Sequence, residues 1–195
     1  DHFHYPIAIF AADLSFERRT TIRQATRSVV EFHDLSFLAS QPLPEWVDEA
    51  SVPAFADCGF GDDSIGDRKR NRYMASTGVG KLVEQFDYLW RVAPGAVLTE
   101  NVTNDPFATL ASSGKSFGYL MMVTDDSKCV MGLQEATKEY ARREEVTPTF
   151  LDVLPPGAVF YDGFAIAHSS FWRSPEYQSY FCLLYTSDAA DEEDS

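Results

Sequence analysis

The chain has 195 residues, of which 45% are hydrophobic, and this is enough apolar material for one packed domain. Its 16 basic and 30 acidic residues give a formal net charge of −14, so nucleic acid and anionic membrane surfaces would repel it. We therefore expect no nucleic-acid partner.

Neither a cysteine-based site nor a membrane span is indicated. The cysteines Cys58, Cys129 and Cys182 have no CxxC or zinc-site spacing, which is typical of ordinary thiols. No apolar run approaches the roughly 20 residues that cross a bilayer, and there is no initiator Met or signal peptide. We expect any membrane attachment to depend on an anchor absent from this chain.

The first third of the chain predicts a strand, a helix and a second strand. Residues 5–11 form a continuous apolar run, typical of a strand buried on both faces. Ser15 can cap the helix that follows, and 29–32 predicts a short strand. The segment 41–67 is rich in Pro, Gly and Asp and predicts a long loop.

The same alternation continues along the rest of the chain. The later predicted elements are helices at 68–76 and 81–86, strands at 88–92 and 117–123, strands near 159–161 and 164–167, and helices opened by Asp105, by Asp126 or Ser127, and by Ser174. Alternating strands and helices predict an α/β domain with a mixed but largely parallel sheet.

Six segments carry a resemblance to a known family. They are residues 3–6 (FHYP), 44–48 (PEWVD), 88–95 (YLWRVAPG), 105–107 (DPF), 117–119 (FGY) and 164–181, the longest. In order and spacing they resemble glycosyltransferase family 15, the fungal α-1,2-mannosyltransferases that move mannose from GDP-mannose onto mannose of glycoproteins and glycolipids. The resemblance implies a GT-A fold, a Mn²⁺-assisted donor site, retention of configuration and a Golgi location.

The resemblance also implies that the domain is truncated at both ends. The family's first strand and helix would precede Asp1, and its C-terminal portion, with a metal-ligand histidine, would follow residue 181. Residues 182–192 resemble the in-frame translation of a sequencing-library adapter. We therefore expect a partial glycosyltransferase domain at 1–181 and a non-native tail at 182–195.

Three positions depart from the family at residues that its chemistry needs. The family's metal-binding Glu-Pro-Asp motif corresponds here to Ala93, Pro94 and Gly95, and its candidate catalytic carboxylate corresponds to Ala165. None of these side chains offers an oxygen to a cation or to an anomeric carbon. We expect an impaired transferase or, as the alternative, a catalytically inactive relative that binds nucleotide or glycan.

Four residues are the candidate donor contacts that the resemblance leaves. Arg72 and Arg91 would contact the diphosphate, and Tyr73 and Trp172 would lie on the sugar side. Arg72 belongs to the basic cluster 68–72, for which a solvated helix face is the competing interpretation.

Other polar residues have ordinary structural interpretations. Asp105 precedes Pro106 and favours a helix N-cap over a substitute metal ligand. Asp162 precedes a glycine and indicates a turn, and His168 is typical of a hydrogen-bonded core or turn histidine. His2 and His4 lie on one side of a predicted strand, which is a weak indication of a metal site.

Overall fold

The computed structural model describes residues 3–43, 64–126, 130, 132–161 and 163–186. Its strands are β1 (Ile7–Ala11), β2 (Val30–Asp34), β3 (Tyr88–Val92), β4 (Phe117–Tyr119), β5 (Met122–Thr124), β6 (Ala158–Phe160) and β7 (Phe164–His168). Its α-helices are α1 (Phe16–Ala25), α2 (Ser64–Ala75), α3 (Thr77–Val83), α4 (Pro106–Ser113), α5 (Leu133–Arg143), α6 (Ser170–Arg173) and α7 (Pro175–Thr186), with a 3-10 helix at Ser36–Ser40. The predicted motif at 44–48 lies outside the described residues.

The N-terminal part is a parallel strand–helix–strand unit. β1 pairs in parallel with β2, with Ile7 opposite Val30, and α1 forms the crossover. The Ser15 hydroxyl accepts the N–H of Arg18 at 3.3 Å, so the predicted N-cap of α1 is confirmed. β1 is only half-buried, contrary to expectation, because it pairs with β2 alone in the described sheet.

The central sheet has β7 in the middle. β7 pairs antiparallel with β3 on one side and with β4 on the other, and β5 pairs antiparallel with β6. The prediction of a largely parallel sheet is therefore wrong for these strands, and among the described residues only β1 and β2 pair in parallel. The alternation of helices and strands gave no information on strand direction, since long connections allow either direction.

Several predicted elements have different boundaries. The helices predicted at 68–76 and 81–86 are α2 (Ser64–Ala75) and α3 (Thr77–Val83). The strand predicted at 117–123 is two short strands, β4 and β5, which pair with different partners. The helix predicted to start at Asp126 or Ser127 begins at Leu133, with Gly132 as its N-cap at φ 76°. The last helix begins at Pro175 as predicted and continues to Thr186, while the boundary at 181 stays a prediction.

A buried serine fixes the central strand to the chain before β3. Ser169 is fully buried, its hydroxyl donates to the carbonyl of Phe86, and its N–H donates to the carbonyl of Asp87 at 2.7 Å. Just before it, Ala167 is 1% exposed between Leu89 and Phe117, its partners on the two neighbouring strands. The end of β7 near His168 is therefore anchored by backbone hydrogen bonds.

Gly78 and Gly80 both lie inside α3, although glycine disfavours the interior of a helix. A Cβ on Gly78 would lie 2.7 Å from the ring of Tyr73, whose centroid is 5.5 Å from that of Phe37. A Cβ on Gly80 would meet nothing within 4 Å. Glycine is therefore required at position 78 by close packing and not by backbone conformation.

These two glycines make a matched pair of substitutions. We expect Gly78→Ala to destabilise the fold by about 1–3 kcal/mol, because the packed Tyr73 ring must move. Gly80→Ala should stabilise it by up to about 1 kcal/mol through helix propensity alone. Urea unfolding of the two variants measures both effects, and equal stabilisation by both would show that Tyr73 is free to move.

Candidate functional site

Three side chains form a row across the central sheet. Arg91 of β3 and Tyr119 of β4 are both direct partners of Ala165 on β7. Directly opposed residues of antiparallel strands point to the same face, so these side chains are neighbours. Arg91 and Tyr119 are exposed, so the row is accessible to a ligand.

The two positions of the expected metal motif lie at the same end of this strand pair. The Ala93 N–H donates to the carbonyl of Gly163 at 2.8 Å, directly beyond the last pair of β3 and β7. Gly95 follows at φ 83°, in the left-handed region. The structure therefore brings Ala93 and Ala165, predicted to belong to one site, to the same end of the sheet.

The residues at this end do not fit a divalent cation. Alanine and glycine supply no side-chain oxygen, and hard cations need oxygen ligands. Within the described ranges, no cluster of three or more His, Cys, Asp or Glu side chains is arranged to hold a metal. A metal-assisted step therefore has no support from the side chains at Ala93, Gly95 and Ala165.

The opposite face of the same strands is packed against α4. The Trp90 ring lies edge-on to Phe164, with centroids 4.9 Å apart, and edge-on to Phe107 of α4 at 6.3 Å. Its indole N–H is buried and has no hydrogen-bond partner in the described part of the chain. Trp90 thus belongs to the packing between sheet and helix, on the face away from Arg91.

Asp105 is the N-cap of α4, as predicted, and both of its oxygens are engaged. Oδ1 accepts the N–H groups of Phe107 at 2.9 Å and Ala108 at 3.3 Å, and Oδ2 accepts the Tyr5 hydroxyl at 2.5 Å. The Tyr5 hydrogen bond is the main reason that the pKa of Asp105 lies below its usual value, and it raises the pKa of Tyr5. Asp105 therefore ties the segment before β1 to α4.

This bond predicts a pH-dependent contribution to stability. Because the pKa of Asp105 is lower in the folded than in the unfolded chain, its ionised form stabilises the fold at pH values above the unfolded pKa. This stabilisation is lost progressively as the pH falls below about 4. Because the pKa of Tyr5 is raised in the fold, the stabilisation from this hydrogen bond is also lost above about pH 10, as the hydroxyl ionises. The stability difference between wild type and Tyr5→Phe should therefore be larger at pH 7 than at pH 3, as followed by urea unfolding. Tyr161→Phe, an exposed hydroxyl elsewhere, should show no such difference.

Arg72 and Tyr73 lie on α2, next to the parallel strand pair. The ring of Tyr73 packs against Phe37, which follows the carboxyl end of β2. Ligands of open α/β sheets bind beyond the carboxyl ends of parallel strands, so this position favours a donor-side role for Tyr73. At the same edge, hydrogen bonds from Ser36 lower the pKa of Asp34.

Trp172 lies away from Ala93 and Ala165, near the end of α2. It follows the end of β7 at His168. Ala165 is near the other end of this strand, about 10 Å from His168 along the strand. It lines a cavity with residues at the end of α2 and on α7. The segments through Trp90 and Trp172 are neighbours, because β3 pairs with β7. Trp172 itself is not beside the positions of the expected metal motif.

The remaining candidates have structural surroundings. His168 Nδ1 lies 2.7 Å from the Ser170 hydroxyl and accepts its N–H at 3.1 Å, which fits the predicted hydrogen-bonded histidine. Arg70 of the basic cluster pairs with Asp67 at 2.7 Å. Asp162 and His2 lie outside the described residues.

Tyr119 is the residue that sequence reasoning missed. Its ring is 4.3 Å from that of Phe160, and 48% of the residue is exposed beside Ala165. The run 117–123 concealed it, because a continuous apolar run predicts a buried strand. The alternation of Phe117, Gly118 and Tyr119 is the signal that places both aromatic rings on one face.

Comparison with known proteins decides the family. A model of the glycolipid 2-alpha-mannosyltransferase family matches residues 1–188. The chain belongs to this family. Among curated relatives, mannosyltransferase KTR6 of Saccharomyces cerevisiae is 26% identical over 205 residues, which cover 92% of this chain and 46% of that protein. The glycolipid 2-alpha-mannosyltransferase of the same yeast is 23% identical, with 93% and 45% covered.

Solved structures of mannosyltransferases share the fold. Core-mannan synthase A from Aspergillus fumigatus, in a Mn/GDP form, has a TM-score of 0.72 and 19% identity, covering 93% of this chain and 55% of that one. Ktr4p of Saccharomyces cerevisiae in complex with GDP has a TM-score of 0.76 and 17% identity, with 93% and 53% covered. The predicted α/β fold of the family is confirmed. The chain spans about half the length of these family members.

No helix in the described parts of this family member is both long enough and apolar enough to span a bilayer.

Proposed function

We propose that this chain is the donor-binding part of a GDP-mannose-dependent α-1,2-mannosyltransferase that modifies mannose-containing glycans in the Golgi lumen, and that its chemistry is impaired. Family membership, and GDP in a complex of Ktr4p, support the donor class. The fungal mannosyltransferases among the relatives support a secretory location. Membrane attachment would come from an anchor outside the described residues.

The observation that carries the proposal is the row of Arg91 beside Ala165, next to Ala93. A guanidinium forms paired hydrogen bonds with phosphate oxygens and keeps its charge at all relevant pH values. The side chains of Ala93, Gly95 and Ala165 carry none of the negative charge that a metal site would contribute. Arg91 therefore attracts a diphosphate directly, with Arg72 and Tyr73 on α2 as further donor-side contacts.

The impairment follows from the same side chains. In the family's chemistry a divalent cation neutralises the departing nucleoside diphosphate, and a carboxylate stabilises the sugar as the bond breaks. Neither group has a counterpart at Ala93, Gly95 or Ala165. Loss of one preorganised electrostatic group lowers a rate by about 10²–10³, so transfer should be slow.

The second candidate is a binding protein without turnover. It is favoured by the same three substitutions, which remove chemistry but leave the backbone pairing of β3 with β7 complete. Such a protein would hold nucleotide or glycan on the family scaffold. The two candidates differ in whether any mannose is transferred from GDP-mannose.

Calorimetric titration of the full chain with GDP tests the proposal. We expect saturable binding with the same affinity in Mn²⁺ and in EDTA, because the described residues present no metal site. Absence of binding in both conditions would overturn the donor assignment. Tightening by tenfold or more in Mn²⁺ would instead contradict the proposed impairment. Measurement of mannose transfer then separates the slow enzyme from the binding protein.

A further inference from the structure

One sequence motif plays no part in the proposed donor site. Asn101, Val102 and Thr103 form the acceptor triplet for N-linked oligosaccharides, which is Asn-X-Ser/Thr with X other than proline. The other asparagines of the chain, Asn71 and Asn104, have no Ser or Thr two residues later. The chain therefore offers a single acceptor for this modification.

The triplet lies in a segment whose two ends are fixed. Residues 93–104 connect β3 to α4 and contain no helix or strand. At the first end the Ala93 N–H donates to the carbonyl of Gly163 at 2.8 Å. At the second end Asp105 caps α4 and accepts the Tyr5 hydroxyl. Because an attached oligosaccharide is bulky, it needs a surface segment such as this one, where it displaces no helix or strand.

The exposure of the triplet alternates along the chain. Asn101 and Thr103 are exposed, and Val102 between them is half-buried. Such alternation is typical of an extended segment, in which residues i and i+2 point to the same side. Neither Asn101 nor Thr103 makes a side-chain hydrogen bond or an ion pair with another described residue. The acceptor amide and the hydroxyl that the motif requires are therefore presented together to solvent.

The modification is a glycosyl transfer to nitrogen, in which this chain is only the acceptor. A separate enzyme of the secretory pathway is the catalyst, and the co-reactant is a lipid-diphosphate-linked oligosaccharide. The side-chain amide nitrogen of Asn101 forms a bond to C1 of the first sugar and gives up one proton to solvent. The bond between C1 and the diphosphate oxygen breaks, and the lipid diphosphate leaves with the electron pair. The reaction involves no oxidation or reduction.

The neighbouring side chains indicate what the oligosaccharide would cover. Val97 is 80% exposed and Leu98 is 58% exposed. Leu98 is three residues from Asn101, so their Cα atoms are at most about 11 Å apart. A bulky, solubilising oligosaccharide on Asn101 would therefore lie within reach of both apolar side chains.

We propose that Asn101 carries an N-linked oligosaccharide once the chain enters the secretory pathway, and that this oligosaccharide covers Val97 and Leu98. The modification rests on the secretory location in the proposed function, and it is independent of GDP binding.

Secretion of the full chain from yeast behind an added cleavable signal tests the acceptor directly. The added signal brings the chain to the transferring enzyme whatever its native location is. We expect a product heavier than the bare chain, whose mass falls when an N-glycosidase cleaves the sugar from the asparagine. This cleavage converts Asn101 to aspartate, which peptide mass spectrometry locates. A secreted product whose mass the N-glycosidase leaves unchanged would overturn the proposal.

Matched variants identify the acceptor. Asn101→Gln and Thr103→Ala should each lose the modification completely, whereas Thr103→Ser should keep it because a hydroxyl remains. Asn104→Gln changes a neighbouring exposed amide and should have no effect. Modification that survives in Asn101→Gln, or equal behaviour of Thr103→Ser and Thr103→Ala, would contradict the assignment of Asn101.

A second measurement tests the covering of Val97 and Leu98. Removal of the oligosaccharide from the folded protein should increase the binding of an apolar fluorescent dye. The same removal should change nothing in the double variant Val97→Ser, Leu98→Ser, since the apolar side chains are gone. No increase in wild type, or an equal increase in the double variant, would show that the oligosaccharide does not cover these residues. The GDP titration decides the donor assignment separately, so the two proposals fail independently.

Discussion

Restoring three side chains, Ala93→Glu, Gly95→Asp and Ala165→Glu, is expected to make GDP binding depend on Mn²⁺. Without metal the triple variant should bind GDP more weakly than wild type, because Glu at 165 would pair across the strands with Arg91. With Mn²⁺ the new carboxylates can hold the cation, and binding should tighten by at least tenfold. Mannose transfer should rise by about 10²–10³ for each electrostatic group recovered.

The backbone at these positions accepts the changes unequally. Ala93 and Ala165 lie in or beside regular strand pairing, where a longer side chain points away from the sheet. Gly95 has φ 83°, and aspartate tolerates this region better than most residues. The matched control carries Gln, Asn and Gln at the same positions, which have similar shapes and no charge. If the acidic and amide triple variants bind GDP alike with Mn²⁺, the alignment of these positions with the metal motif is wrong.

Loss of the Arg91 guanidinium should have the second large effect. We expect Arg91→Ala to weaken GDP binding by about 10–100-fold, since hydrogen bonds to charged groups contribute about 1.5–3 kcal/mol each. Arg91→Lys should recover only part of the affinity, because an ammonium cannot form the paired bonds of a guanidinium. Titration with GDP in EDTA measures both variants without metal effects.

Arg70→Ala is the control for general loss of positive charge. Arg70 is exposed and paired with Asp67 on α2, so its removal should leave GDP binding nearly unchanged. Equal weakening by Arg70→Ala and Arg91→Ala would mean that net charge, and not a specific contact at β3, controls the affinity. Unchanged binding in Arg91→Ala would remove Arg91 from the donor site.

Local chemistry in the sequence predicted three helix starts well, although it did not predict the start of α5. Ser15, Asp105 with Pro106, and Ser174 with Pro175 all begin helices where expected, because a capping oxygen acts on N–H groups only two or three residues away. The strand β3 also has the predicted bounds, since Pro94 follows it directly. These features depend on neighbours along the chain, which a sequence shows.

Features that depend on distant neighbours were predicted less well. Strand direction around β7 follows from pairings between residues about 50–80 positions apart, and no local pattern encodes them. The exposure of Tyr119 depends on which strand lies beside it. In the candidate site, Ala93 and Ala165 lie at one end of the β3–β7 pair, and their role in one site stays a prediction. The position of Trp172 at the other end of β7 became visible only in three dimensions.

The antiparallel pairing of β3 with β7 has a consequence for the history of this chain. Its strength lies in main-chain hydrogen bonds and in the buried Ser169, none of which involves the side chains at 93, 95 or 165. The groups that hold this part of the fold together are therefore different from the side chains that the family's reaction would need. Substitutions at these three positions need not weaken the architecture, so a protein of this kind could lose turnover in single steps and keep its fold.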